Sequence, residues 1–177
     1  MKKKTAKEIL AESFRELAET NRVEKITIKD ITDNCGYSPA TFYRHFTDKY
    51  DLIAWDYAQQ MFEIMSHFGE EDYSWKQAYT DNVVYYQNNQ VYLRNLLRHT
   101  SGYDSFVRSM TEVNFQVYVD YLKEHNPEQL TEKNKMKIRL FCHGASSLAG
   151  EWILGNFKAS AEELVAVMEE SFPFQLP

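Results

Sequence analysis

The sequence predicts an all-α protein, and three observations carry that prediction: helix-start signals recur along the chain, strand signals are nearly absent, and apolar residues repeat at helical spacing. Of 177 residues, 44% are hydrophobic and 15% aromatic against only six glycines and four prolines, so the chain can bury a sizeable core and is not low-complexity. No Asn-Gly or Asp-Gly hairpin turn occurs, and β-branched alternation is confined to short pieces such as residues 25–28.

The elements follow in order. Thr5 with Glu8, Ser74 with Gln77 and Ser160 with Glu163 each set a hydroxyl three residues before a carboxylate or amide, so that each side chain can satisfy an orphan N–H at the other end of a helix's first turn. Thr27 with Asp30 and Asp48 with Asp51 are weaker forms of the same start. After Thr5, Ala6, Ile9, Leu10, Phe14, Leu17 and Ala18 give the spacing of a helix with one buried face. A short helix over 28–35 closes at Gly36, which can take the left-handed conformation that ends helices. Ser38 caps the next, with Pro39 in its first turn, and that helix runs to about His45. Further helices are predicted at 49–68, 74–88, 90–100, 103–125, 131–156 and 160–171, with breaks at Gly69, Gly102, Asn126-Pro127 and Pro173.

Charge and composition exclude several function classes. The formal charge of −6 rules out a uniformly basic protein that coats nucleic acid. Residues 1–50 nevertheless hold ten Lys/Arg against eight Asp/Glu, a mildly basic head on an acidic body. No apolar run approaches the roughly 18 residues that cross a bilayer, and the N-terminus lacks the apolar stretch of a signal peptide, so a cytoplasmic protein with no membrane partner is expected. Cys35 and Cys142 are too few and too far apart for a disulfide framework or four-ligand zinc site, and read as reduced core residues. His45, His67, His99, His125 and His143 form no His-x-x-x-His or His-Glu-x-x-His pair, and no nucleophile elbow or phosphate-cradling glycine loop is present, so neither a metal, a cofactor nor an enzyme is expected.

The segment that carries chemistry is 28–46, two short helices joined by Gly36, Tyr37 and Ser38, the sequence form of a helix-turn-helix. Ile28, Ile31 and Cys35 make an apolar stripe on the first helix. Phe42 and Phe46, one turn apart on the second, should pack against it and against Phe14 and Leu17. Pro39, Ala40, Tyr43 and Arg44 then remain outward, on a face that can lie in a major groove. There Arg44 can donate twice to guanine O6 and N7, and Pro39 and Ala40 can touch thymine methyls. Thr27, Thr41, Tyr43 and His45 offer phosphate donors, and Lys29 and Lys49 sit at helix starts whose free N–H groups also favour an anion.

The runs ITIKDI (26–31) and GYSPATFYRHFTDKYDL (36–52) resemble the DNA-binding signature of TetR-type transcriptional regulators, ungapped over about residues 5–55. The resemblance implies a three-helix DNA-binding domain over 1–48 and an all-α domain over 49–177 that dimerises and often binds a small-molecule effector. It further implies a homodimer on a palindromic double-stranded operator, and a ligand-responsive repressor. Carried over by position, Thr27, Lys29, Thr41, Tyr43, His45 and Lys49 are the phosphate or near-phosphate contacts, Lys29, Pro39, Ala40 and Arg44 the base readers, and Ser38 the cap among them. In the body, Trp75 with NNQVYL (88–93), HGASSLAGEW (143–152) and SAEEL (160–164) resembles a Firmicute-type subgroup. Some of its members are activators of dihydroxyacetone kinase operons that work with a kinase-like coactivator, so activation with a protein coactivator is the alternative. An all-α interaction module without DNA binding, and a small helical enzyme, are the other classes weighed.

In the body, the helix over 137–157 places small residues at Gly144, Ala145, Ser146, Ala149 and Gly150, where a partner helix could approach closely, and the last helix adds Leu164, Val167, Met168 and Phe172. The two are read as the dimer face. Trp55, Phe62, Tyr79, Tyr85, Tyr86, Tyr92, Tyr103, Phe106, Phe115, Tyr118 and Tyr121 could line a pocket for an aromatic or cationic ligand. The plainer reading is a core with tyrosine hydroxyls at the surface.

Overall fold

The computed structural model describes residues 4–68, 70, 73–102 and 105–173. Among them nine α-helices follow in order: α1 (Ala6–Thr20), α2 (Ile28–Cys35), α3 (Pro39–Tyr43), α4 (Lys49–Ser66), α5 (Trp75–Asn88), α6 (Gln90–His99), α7 (Phe106–His125), α8 (Glu132–Leu154) and α9 (Ala161–Ser171). Strand pairing among these residues is limited to an isolated bridge between Phe68 and Glu70.

Caps explain most of the boundaries. Thr5/Glu8 and Ser160/Glu163 are reciprocal capping boxes, as their spacing predicts. Thr27/Asp30, read as the weaker form, is a complete box as well: Thr27 N and Oγ1 donate to Asp30 Oδ2 at 2.8 and 2.7 Å, and Asp30 N donates back to Thr27 Oγ1 at 3.1 Å. Ser74/Gln77 works in one direction only, because the Gln77 amide turns to Asp81 Oδ1 at 2.9 Å instead. α3 ends at Tyr43 rather than near His45, its last turn tightening so that His45 N bonds Phe42 O at 2.9 Å. α8 stops at Leu154, two residues short of the predicted end, because Gly155 adopts φ 84°, a conformation that costs other residues free energy. The predicted breaks at Gly69 and the start of the helix at 103 lie outside the described residues, and α7 opens at Phe106.

One apolar core runs through the molecule. In the head it gathers Leu10, Phe14, Ile31, Phe42 and Phe46, and α4 carries it onward through Leu52, Ile53 and Tyr57. In the body α7 packs between α4 and α8, and α5 packs on α9. The tyrosine hydroxyls depart from the expected surface position: Tyr79 and Tyr118 pair with each other at 2.9 Å inside the core, and Tyr57 pairs with Tyr86 at 3.3 Å and donates to Asn114 at 3.1 Å. Burial raises the pKa of all four, so the hydroxyls stay neutral and bonded.

The small residues of α8 divide between two faces, which corrects their reading as one dimer surface. A Cβ on Gly150 would lie 3.2 Å from Leu97 Cδ2 and 3.4 Å from Val107 Cγ2, so this glycine lets α8 close on α6 and α7 within one chain. Ser146 and Ala149 are buried beside it. Gly144 faces open space instead, near Leu140, which is 75% exposed.

Head and body are joined by polar clamps between distant parts of the chain. Arg15 on α1 makes two hydrogen bonds to the Asp56 carboxylate on α4, Nε to Oδ2 at 2.8 Å and Nη2 to Oδ1 at 2.6 Å, and Tyr92 on α6 donates to Oδ2 at 3.2 Å. Burial disfavours the guanidinium charge, but the hydrogen bond and charge of Asp56 outweigh it and hold Arg15 above its ordinary pKa. Asn95 on α6 donates to Ala18 O and Asn21 O, both at 2.6 Å, and accepts from Val23 N at 3.3 Å, which satisfies the frayed end of α1. Arg15→Ala should therefore lower stability by about 3 kcal/mol, the low end for breaking a buried pair because Arg15 keeps 38% of its side chain exposed. Adding Asp56→Asn to that variant should recover part of the loss, and urea denaturation checks both.

Candidate nucleic-acid interface

The helix-turn-helix is built by three local devices. The Thr27/Asp30 box starts α2, and Gly36 ends it at φ 73°, with Tyr37 N returning to Thr32 O at 2.9 Å. Ser38 Oγ then accepts from Thr41 N at 3.2 Å, and Pro39 fills the first turn of α3, where its missing N–H leaves no bond unmade. Ser13 on α1 donates to Ile31 O at 2.7 Å and so ties α2 down without an apolar contact.

This geometry decides which residues face outward. Phe42 is fully buried and meets Phe46 at 5.7 Å between ring centroids. On the opposite face Ser38, Pro39, Ala40, Tyr43 and Arg44 are exposed, Tyr43 by 59% and held edge-on to Phe42. Thr41 and His45 are half-buried beside them. Arg44 Nη2 donates to Thr41 Oγ1 at 3.1 Å, and that hydroxyl lies 3.1 Å from Ser38 Oγ, so a polar chain holds the guanidinium over the helix surface.

Thr27 and Lys29 are exposed at the start of α2, where Lys29 forms an ion pair with Asp33 one turn on. Lys49 stands apart from the others. Its ammonium donates to Val23 O at 2.9 Å, Glu24 O at 3.2 Å and Ile26 O at 2.9 Å, which uses all three N–H donors. Partial burial lowers its pKa, against the raising effect of Glu24 and Asp48. It thus clamps the turn before α2 onto the start of α4, with no N–H left for a phosphate oxygen.

Sequence reasoning did not find Arg15, Asp56, Asn95 or Ser13, which hold the head in position. Their partners lie 18 to 77 residues away, and no local spacing announces them. Among the described residues, no three His, Cys, Asp or Glu side chains converge as metal ligands, and no helix is long and apolar enough to cross a membrane. Burial pushes the Cys142 thiol up to about 12. Cys35 is half-buried in the head.

Residues 9–54 match the family model described as bacterial regulatory proteins, tetR family. The chain is 22% identical over 98 residues to the HTH-type dhaKLM operon transcriptional activator DhaS of Lactococcus lactis subsp. lactis (strain IL1403), a match that takes in 55% of this chain and 52% of that protein. The chain thus matches about half the length of this curated relative. Its fold is similar to that of a dihydroxyacetone kinase operon activator DhaS, with TM-score 0.59 and 18% identity over 92% of this chain and 90% of the other. It is similar also to a TetR transcriptional regulator from Rhodococcus sp. RHA1, with TM-score 0.63 and 14% identity over 94% of each chain. A third is the fatty acid degradation regulator FadR from Bacillus halodurans, with TM-score 0.52 and 16% identity over 95% of this chain and 94% of the other.

The carbonyl cage around Lys49 has a measurable consequence. Lys49→Met keeps the apolar stem and removes three charge-assisted hydrogen bonds, so it should lower stability by about 2 kcal/mol, less than their full worth because the site is partly solvated. Amide exchange of Val23, Glu24 and Lys25 should accelerate with it. Unaltered denaturation and exchange would show that the cage holds nothing together.

Proposed function

We propose that the chain is a DNA-binding transcriptional regulator of the tetR type, the family whose model matches residues 9–54, and that it binds a palindromic operator as a homodimer, laying α3 of each head in a major groove. The observation that carries this is the division of α3 into a buried Phe42 face and an exposed face of Pro39, Ala40, Tyr43 and Arg44. Arg44 leaves Thr41 to donate to a guanine, and Pro39, Ala40 and Lys29 read neighbouring bases. Thr27, Ser38, Thr41, Tyr43 and His45 hold phosphates, and Lys49 contributes by fixing the head's shape and by its charge.

The dimer supplies the two-fold symmetry that a palindrome requires, with recognition helices about 34 Å apart. An apolar groove of about 460 Å³ between α8 and α9 supports it, bordered by Leu140, Gly144, Leu148 and Val167. Exposed Leu140 and Val167 are what a second copy would cover. The body makes the regulator ligand-responsive through α4, which begins at the head and continues among the aromatic residues of the body. An effector that favours one setting of α4 changes operator affinity by the same factor, ordinarily by about 1–3 kcal/mol. Occupying the operator then represses transcription. Activation with a protein coactivator is a second reading, favoured by the likeness to DhaS in sequence and in fold. Transcription from the target promoter with and without the purified protein separates the two.

Two variants test the assignment. Arg44→Ala should cost about 1–3 kcal/mol at a selected operator and relax preference at one base position, with little effect on random duplex. Binding equal to that of the unaltered protein in a competition shift assay would remove Arg44 from the reading face. Leu140→Glu should give monomers in sedimentation and abolish operator binding while far-UV helicity is retained, because it places a charge in the seam without touching the buried face of α8. A persisting dimer would move the interface off this groove.

A further inference from the structure

A second feature of the body is a small, partly open cavity of about 50 Å³ lined by α4, α5, α7, α8 and α9. Met61, Met65, Trp75, Tyr118, Phe141 and Met168 form much of its wall, and none of the residues lining it carries a charge. Two buried polar atoms on α5 have no hydrogen-bond partner, Asn82 Oδ1 and Trp75 Nε1. They lie two helical turns apart, about 10 Å along the axis. The Asn82 amide nitrogen donates to the Met61 thioether at 3.4 Å, a weak acceptor, and as a donor it also faces the Tyr57 and Tyr86 hydroxyls, so its contacts are all made by the nitrogen and none by Oδ1. The neighbouring tyrosine hydroxyls do not relieve Oδ1, since Tyr79 and Tyr118 bond each other and Tyr57 is engaged with Tyr86 and Asn114.

A buried acceptor without a donor is costly, and native structures seldom keep one unless something else fills the place. We propose that this cavity is the binding site for a small uncharged hydroxy compound, no larger than one ring, which donates its hydroxyl hydrogen to Asn82 Oδ1 and lies against Trp75. Size sets the upper bound. A cavity of about 150 Å³ holds benzene, and this one is about a third of that, so a single ring enters only as the three flexible methionine walls yield. Charge sets the second bound, because a carboxylate or ammonium would be stripped of water with no counter-charge among the lining residues. A long acyl chain fits neither limit. Met61, Ile64 and Met65 come from α4, the helix that also bears Asp56 and begins at Lys49, so an occupant presses on the element that positions the head. The proposal rests on the effector reading above for its regulatory meaning, not for the binding itself.

The test uses the full chain and three probes of nearly one shape: phenol, benzoate and toluene. With excitation beyond phenol's own absorption, phenol should change tryptophan fluorescence saturably, and Trp75→Phe should remove the change although Trp55 and Trp152 remain. Benzoate and toluene should each compete at least about tenfold more weakly, by charge and by the missing donor respectively. Asn82→Leu should bring phenol down to the affinity of toluene. Ala78→Leu, which fills the cavity from another position, should abolish binding of both and keeps the test decisive if Asn82→Leu fails to fold. No saturable signal with phenol, benzoate equal to phenol, or binding that survives Ala78→Leu would each overturn the site. Operator affinity measured without any probe reports separately on the regulator: its absence beside intact phenol binding would remove that reading and leave the cavity standing.

Discussion

The bidentate pair between Arg15 and Asp56 fixes how the head sits on the body. Asp56 is only 3% exposed, and burying a carboxylate is costly unless it is matched in charge and in hydrogen bonds. Arg15 comes from α1 and Tyr92 from α6, so one carboxylate on α4 joins three helices that are far apart in sequence. Lys49 and Asn95 repeat the device on a smaller scale, one caging three carbonyls before α2 and the other closing the end of α1. The three clamps bracket the start of α4. None is an apolar contact that could slide, since each demands a particular distance and direction.

That rigidity is what gives the exposed face of α3 its meaning. A recognition surface of a few side chains discriminates bases only if its backbone is held, and here α3 is held from below by Phe42 and Phe46 and from the side through α2, Ser13 and the clamped turn before it. The same clamps make α4 common to both halves. Its first turns belong to the head's core, while Met61, Ile64 and Met65 line the cavity of the body. A displacement felt at one end therefore has a short, stiff route to the other, through a helix rather than through a chain of loose contacts.

Local chemistry made the head legible. Thr27 to Asp30, Gly36, Ser38 and Pro39 act within four residues of themselves, and the buried pair Phe42/Phe46 follows from helical spacing, so the turn, the caps and the outward set could all be read in order. Lys49 shows the limit of that reading: its position at a helix start suggested an anion, but its partners are carbonyls 23 to 26 residues upstream. α8 shows it again. Gly144 and Gly150 have the same residue type and share a helix, yet one faces open space and the other touches Leu97 and Val107, and only the packing of α6 and α7 tells them apart. The paired tyrosine hydroxyls were beyond sequence for the same reason, because ring and partner sit on different helices.

If the clamps make one unit of the head and the upper half of α4, native-state amide exchange should detect it. Amides in the middle of α1 and in the first turns of α4 should then open with the same free energy, and removing the Arg15 guanidinium should lower both together. Amides of α1 that open well below those of α4, and that do not respond to Arg15, would show instead that the head moves as a separate body and that the clamps do not join it to α4.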